Sequence, residues 1–188
     1  MRWKVRIDPF VYPFCAFLLL AVPIRVLCGW FGAAVCHEFG HIMVQRILGG
    51  RSAKILIRPA GAVIEGEDLG IWRNIISVLA GPAAGAVPMF LYGLFPELAL
   101  CSFLLTVYNL IPLYPLDGGR VLYLMSEKCG AMRIAVIAVE TVAIVCILCM
   151  TFWYHTPVPL LPVVPHLREK YLAKRGNSGY NRATIEMR

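Results

Sequence analysis

The motif His-Glu-Phe-Gly-His occupies residues 37–41, in the middle of an apolar run over residues 26–48. On a helix, His37 and His41 project from one face, one turn apart, and can bind the same metal ion. Glu38 lies beside them and can act as a general base in hydrolysis. Ionisable groups are costly in hydrocarbon, so a carboxylate flanked by two imidazoles in a membrane span requires a functional reason. The motif therefore predicts metal-assisted peptide hydrolysis inside a membrane. The alternative is a chance match on a buried helix, with both histidines satisfied by neighbouring carbonyls.

The composition of the chain is typical of a membrane protein. Hydrophobic residues make up 59% of the 188 residues, charged residues only 15%, and the mean hydropathy is +0.70. These values lie outside the range of soluble domains. The net charge of +7 fits basic flanks that meet anionic lipid. No nucleic-acid-binding motif accompanies that charge, so we expect a lipid bilayer and no nucleic acid as its partner.

Apolar stretches of helical length predict five membrane spans. The spans are residues 10–27, 29–48, 71–95, 98–116 and 131–154, and the first of them is broken by Pro13 and Pro23. Between the second and third spans, residues 51–70 are too polar to cross, and segments 53–58 and 61–65 read as a short β-hairpin. The predicted fold class is an all-α polytopic membrane protein with five transmembrane helices, or six. A short membrane-associated β-hairpin lies between the second and third of them.

The distribution of Lys and Arg sets the predicted orientation. Three basic residues among the first six place the N-terminus in the cytoplasm, and two crossings return the basic hairpin to that side. The basic tail fits the same side only if residues 156–167 dip back as a partial element or the fifth segment is itself a hairpin. Both arrangements remain open. We expect residues 1–155 to form the transmembrane core and residues 156–188 to form a Pro-rich and then basic tail.

A second group of candidate site residues lies at the end of the fourth span. Residues 109–120 there read Asn-Leu-Ile-Pro-Leu-Tyr-Pro-Leu-Asp-Gly-Gly-Arg. Catalytic zinc usually takes three protein ligands and leaves one position for water, and Asp117 is the best-placed carboxylate to join the two histidines. The prolines break the helix, and the two glycines after Asp117 permit a sharp turn that aims it back at the second span. The alternative is an ordinary loop in which Asp117 caps the next helix.

Taken together, the motif at residues 37–41, the Ala-Gly-Pro stretch at residues 80–82 and residues 109–120 resemble the site-2 protease family of intramembrane zinc metalloproteases. The resemblance extends over residues 8–123 and is greatest to the sporulation proteases of spore-forming bacteria. The family often has Asn at the position of Gly85, so this chain departs from the pattern there.

The resemblance implies a role for each site residue. His37, His41 and Asp117 are the implied ligands of one Zn²⁺ per chain, and Glu38 is the implied general base. Asn109 matches a family asparagine that lines the site and contacts the substrate. The hairpin between the second and third spans is associated in this family with holding the substrate in extended form.

The resemblance also implies partners and a location. The substrate is a membrane-associated protein, which in the sporulation branch is an inactive sigma-factor precursor, and membrane regulatory proteins are further partners. The protein is expected in the bacterial cell membrane as a multi-pass protein, and in the outer forespore membrane if the sporulation role holds.

Two other functions compete with proteolysis. A metal transporter also places His and Glu in its spans, but repeated halves or interrupted helices in matching positions are typical of transporters, and the sequence has no such symmetry. A catalytically silent relative would bind a partner helix without cutting it. Replacement of Glu38 by Gln separates the classes, because binding or transport persists in that variant and proteolysis does not.

Overall fold

The computed structural model describes residues 4–50, 53–58, 61–66, 68–126 and 130–174. These residues are mostly helical. The chain divides into two compact units, Met1–Val107 and Tyr108–Arg188. The first unit contains β1 (Lys4–Ile7), α1 (Val11–Ala21), α2 (Ile24–Ile47), β2 (Ala53–Arg58), β3 (Gly61–Gly66), α3 (Ile71–Ala86), a 3-10 turn (Val87–Leu91) and most of α4 (Pro96–Leu110). The second unit contains the end of α4, then α5 (Asp117–Ser126), α6 (Gly130–Tyr154), a 3-10 turn (Val158–Leu160) and α7 (Val163–Lys174).

The first predicted span, residues 10–27, is broken at Pro23 as expected, but the break expected at Pro13 is wrong, because Pro13 lies inside α1. Helix α1 ends at Ala21 and α2 begins at Ile24, because Pro23 has no amide hydrogen to continue a helical ladder. The 11 residues of α1 extend about 16 Å, which is roughly half the hydrocarbon thickness of a bilayer. The metal motif lies in the longer helix, whose 24 residues extend about 36 Å.

The fourth predicted span, residues 98–116, is also too long. Helix α4 ends at Leu110, and Pro112 and Pro115 keep the following residues out of helical conformation until α5 begins at Asp117. Among the residues that the structure describes, two helical stretches are long and apolar enough to cross a membrane, Ile71–Leu91 and Met132–Tyr154. The count of five or six spans stays a prediction.

A three-stranded sheet occupies the polar part of the first unit, in the order β1-β2-β3. Strands β2 and β3 pair antiparallel, with Ile55 opposite Ile64, and β1 adds to the other edge of β2 in parallel, with Val5 opposite Ile55. The sequence pattern did not indicate the third strand. The association of this sheet with a membrane stays a prediction.

The second unit has a small apolar core. Leu113, Ile147 and Val163 are buried together there, contributed by the loop after α4, by α6 and by α7. His166 of α7 is also buried, with 1% of its surface exposed. Helix α7 therefore packs this side chain inward.

Candidate metal centre

The two histidines of the motif converge in the first unit. His37 and His41 lie on one face of α2 and are buried, with 4% and 8% of their surfaces exposed. Their Nε2 atoms are 3.2 Å apart, and the rings meet edge to face at 83°. The predicted spacing of one helical turn therefore does bring two imidazole nitrogens to one point, where a single metal ion would be held by both.

A backbone carbonyl on α3 fixes the tautomer of His41. The Nδ1 atom of His41 lies 2.9 Å from the carbonyl oxygen of Ser77. Because a carbonyl oxygen only accepts hydrogen bonds, Nδ1 must carry the proton, and in the neutral ring Nε2 is left with its lone pair. Metal-binding histidines are usually oriented by such a partner on the far nitrogen.

Small residues allow α3 to approach α2 closely enough for this contact. A side-chain carbon added at Gly81 would overlap the His41 ring, and one added at Gly40 would overlap the carbonyl of Ala80 and lie 2.6 Å from the Cβ of Ala84. Glycine is the residue that permits such close backbone packing. The Ala-Gly-Pro stretch of the sequence therefore forms the wall against which His41 rests.

Gly85 borders the other histidine. A side-chain carbon at Gly85 would lie 3.4 Å from Nδ1 of His37 and 3.2 Å from Oγ1 of Thr106 on α4. An asparagine side chain is much larger than one carbon, so the helices would have to separate to accept the residue that the family often carries here. The buried Thr106 hydroxyl has no hydrogen-bond partner among the described residues.

Glu38 follows His37 directly on α2 and is half-buried. Its neighbour Phe39 is 59% exposed, so the helix turns from its buried to its open face over these residues. Glu38 therefore lies at the border of the buried histidine face.

The second unit contains the other predicted site residues. Asp117 is the first residue of α5 and is buried, with Nη1 of Arg120 3.5 Å from its Oδ1. Asn109 lies in the last turn of α4 and is half-buried. The expected sharp turn at Gly118 and Gly119 is wrong, because both glycines are helical. Side-chain carbons there would overlap the backbone of the loop over residues 110–114, so these glycines serve close packing.

The donor chemistry of these residues fits a metal ion. His37 and His41 each offer an imidazole, and Asp117 offers a carboxylate. This is the donor set of a catalytic zinc, which keeps a further position open. The tautomer of His41 agrees with that role, because its Nε2 is the unprotonated nitrogen.

Comparison with known proteins shows what the chain is similar to. Residues 90–152 match Peptidase family M50, a range that includes Asn109 and Asp117 but not the histidine motif. A zinc metalloprotease of Methanocaldococcus jannaschii is 35% identical over 123 residues, covering 57% of this chain and 36% of that protein. Over part of its length this chain is therefore similar to peptidases of family M50 and to a named zinc metalloprotease.

Two further proteins are similar to this chain. Stage IV sporulation protein FB of Bacillus subtilis is 27% identical over 139 residues, covering 66% of this chain and 48% of that protein. The solved structure of the site-2 protease from Methanocaldococcus jannaschii matches with a TM-score of 0.61 and 20% identity, over 86% of each chain, which shows a common fold. The chain spans less than half the length of both curated relatives.

These comparisons support two predictions. Zinc is the metal named for the metalloprotease relative, and the donor chemistry above fits it. Two long apolar helices and the fold shared with a site-2 protease are in keeping with a membrane protein.

The sequence prediction missed the residues that support the histidines. Ser77 contributes a backbone carbonyl, which no side-chain pattern marks. Gly81 and Gly85, four positions apart on α3, carry a usable signal, because small residues at that spacing favour close helix packing in membranes.

Proposed function

We propose that the protein is an intramembrane zinc metalloprotease that hydrolyses a peptide bond in or near a membrane-associated segment of another protein. The observation that carries this proposal is the buried pair of imidazole nitrogens, 3.2 Å apart, with Glu38 as the adjacent residue. Two histidines with converging Nε2 atoms bind metal when neutral, and the neighbouring carboxylate adds a base. That combination is what metal-assisted peptide hydrolysis requires.

Under this proposal His37, His41 and Asp117 hold one zinc ion. The hydrogen bond from Nδ1 of His41 to the Ser77 carbonyl supports the proposal, since it leaves Nε2 unprotonated. Asp117 supports it as well, because its buried carboxylate is the oxygen ligand that a site with two imidazoles would add. When bound, zinc activates water and polarises the scissile carbonyl.

The remaining steps of the proposed mechanism belong to side chains of this chain. Glu38 accepts a proton from the attacking water and later delivers it to the leaving amine, so that one carboxylate serves as base and then as acid. Asn109 contributes an amide N–H to the substrate or to the oxyanion that develops on its carbonyl oxygen. The strand pair β2–β3 offers hydrogen-bonding groups to an unwound substrate segment. Unwinding is required because a helix already uses its carbonyl groups internally.

The proposed arrangement in the membrane follows the charge pattern of the sequence. We propose five or six spans in the bacterial cell membrane, with a cytoplasmic N-terminus, a core over residues 1–155 and a Pro-rich and basic tail over residues 156–188. The basic clusters near the ends of the apolar stretches support this orientation.

The proposed substrate is a sporulation sigma-factor precursor attached to a membrane, cut in the outer forespore membrane under the control of membrane regulatory proteins. Its support is the likeness to stage IV sporulation protein FB, which covers 66% of this chain. A catalytically silent binding protein and a metal transporter are the alternatives, and no feature of the site favours either.

Co-expression with a membrane-tethered sigma-factor precursor tests this function. The wild type is expected to yield a shorter product, whereas Glu38→Gln is expected to bind zinc and yield none. Glu97→Gln is the matched control, because Glu97 is a half-buried glutamate on α4 outside the motif, and it should cleave normally. Cleavage by Glu38→Gln would refute the role of the base. Absence of product from folded, zinc-loaded wild type would refute this substrate.

A further inference from the structure

A buried histidine joins the C-terminal helix to the loop that leads into Asp117. Nδ1 of His166 on α7 lies 2.8 Å from the carbonyl oxygen of Tyr114, three residues before Asp117. Because that oxygen only accepts, Nδ1 donates. The other ring nitrogen, Nε2, is buried and has no hydrogen-bond partner in the part of the chain that the structure describes. A polar ring held almost wholly inside the unit is therefore fixed by this one contact to the loop.

Helix α7 has two further points of attachment within the second unit. Val163 is buried with Leu113 of the loop and Ile147 of α6. At the other end of α7, Nζ of Lys170 lies 3.0 Å from Oε2 of Glu140 on α6. Helix α7 therefore has one contact before His166 and another after it. These two contacts hold the histidine against the loop.

The loop transmits its position to Asp117 because it has little freedom to shift. Its turn is closed by the amide of Leu116, which donates to the Leu113 carbonyl at 2.9 Å. The first turn of α5 packs its glycine backbone against the same loop, where even one added carbon would overlap. A displacement at Tyr114 therefore moves the residue at the start of α5.

We propose that His166 is a positioning residue for Asp117, and that α7 is a working part of the metal centre rather than a separate tail. The proposal rests on the assignment of Asp117 as a zinc ligand. The hydrogen bond to Tyr114 fixes the position of the loop, and the loop fixes the position of the Asp117 carboxylate. Partners that orient a ligand from outside the coordination sphere commonly change metal affinity when they are removed.

Four full-length variants in detergent test this role through zinc affinity, measured by competition with a chromophoric chelator. His166→Leu removes the donor and keeps an apolar side chain, and should weaken zinc binding about tenfold. His166→Asn keeps an N–H near the position of Nδ1 and should stay within about threefold of wild type. His155→Asn is the matched control in the exposed segment before α7 and should have no effect. Lys170→Met removes the ion pair with Glu140 and so loosens the attachment of α7 to α6.

Local hydrogen exchange of the metal-free variants provides the second measurement. Exchange over residues 111–120 should accelerate in His166→Leu, and about two- to threefold in Lys170→Met, whereas exchange in α2 stays unchanged. If His166→Leu does not fold, the Lys170→Met and His166→Asn results decide the question. An unchanged loop in Lys170→Met would overturn the proposal.

Two other results would also overturn the positioning role. One is a lowered melting temperature in His166→Leu with unaltered zinc affinity, because the histidine would then serve packing alone. The other is an Asn variant as weak as the Leu variant, because the hydrogen bond would then be irrelevant. These measurements need no substrate, so a failure of the wild type to cleave would count against the proposed function and not against this role.

Discussion

Helices α2 and α3 of the first unit hold their histidines by close backbone contact, whereas the second unit holds Asp117 through a loop, a small core and a distant helix. In the first region Gly40 and Gly81 bring the two backbones together, and a carbonyl reaches directly to His41. In the second region the side chains of Leu113, Ile147 and Val163 pack around the loop. A rigid helix pair and a packed loop are thus two physical solutions to placing a ligand.

The difference teaches which perturbations each region should tolerate. A carbon added at Gly81 meets the His41 ring itself, so the ligand must move to accept it. A carbon added at Gly119 meets the backbone of the loop, so the loop and its packing must be disturbed. The histidine region should therefore respond to added volume mainly in zinc affinity, and the Asp117 region mainly in stability.

The largest effect is expected from Gly81→Ala. The new methyl group would overlap the His41 ring at its metal-binding side, so zinc affinity should fall about 10- to 100-fold. Chelator competition measures this, with Gly93→Ala as the matched control, because a side-chain carbon at Gly93 meets nothing within 4 Å. Near-normal affinity in Gly81→Ala would show that the His41 ring can move aside and still bind the metal, which contradicts the comparison.

A smaller effect is expected from Gly119→Ala in the second region. Its methyl group would overlap the backbone of Leu113 and Tyr114, so the loop must shift and stability should fall by about 1–3 kcal/mol. Zinc affinity should fall less than in Gly81→Ala. Denaturant titration and chelator competition give the two quantities. A larger loss of zinc in Gly119→Ala than in Gly81→Ala would reverse the order of the two regions.

The smallest effect is expected from Thr106→Val, which keeps the shape of the side chain and removes its hydroxyl. Since the Thr106 hydroxyl is buried and has no partner among the described residues, the free energy of unfolding should change by less than about 1 kcal/mol. Thermal melts with and without a chelator measure it. A marked loss of zinc binding in this variant would instead assign the hydroxyl to the support of His37 across Gly85.

The sequence predicted the chemistry of the site better than its support. The spacing of His37 and His41 follows from helical periodicity alone, so their convergence was predictable. The contact of Ser77 with His41 depends on how closely α3 approaches, which is a tertiary property. Likewise, Gly118 and Gly119 suit a turn as well as a crowded helix, and only the neighbouring loop decides between them.

The helical boundaries show the same limit. The sequence indicated breaks at Pro23, Pro112 and Pro115, but it indicated one at Pro13 as well, and Pro13 lies inside α1. The burial of His166 was not predictable, because its partner Tyr114 lies 52 positions away along the chain. Contacts at such separation leave no local pattern.

The pairing of β1 with β2 restricts the path of the chain through a bilayer. Val5 and Ile55 are neighbours in one sheet, and an open sheet does not lie across a lipid-exposed hydrocarbon layer because its free edges would be unsatisfied. Both strands therefore lie on one face of the membrane, and residues 8–52 cross it an even number of times in any orientation. If α2 crosses the membrane, the segment that contains α1 and the break at Pro23 must cross it in the opposite direction. A helix too short to span alone would then be part of the crossing that keeps β1 and β2 on the same side.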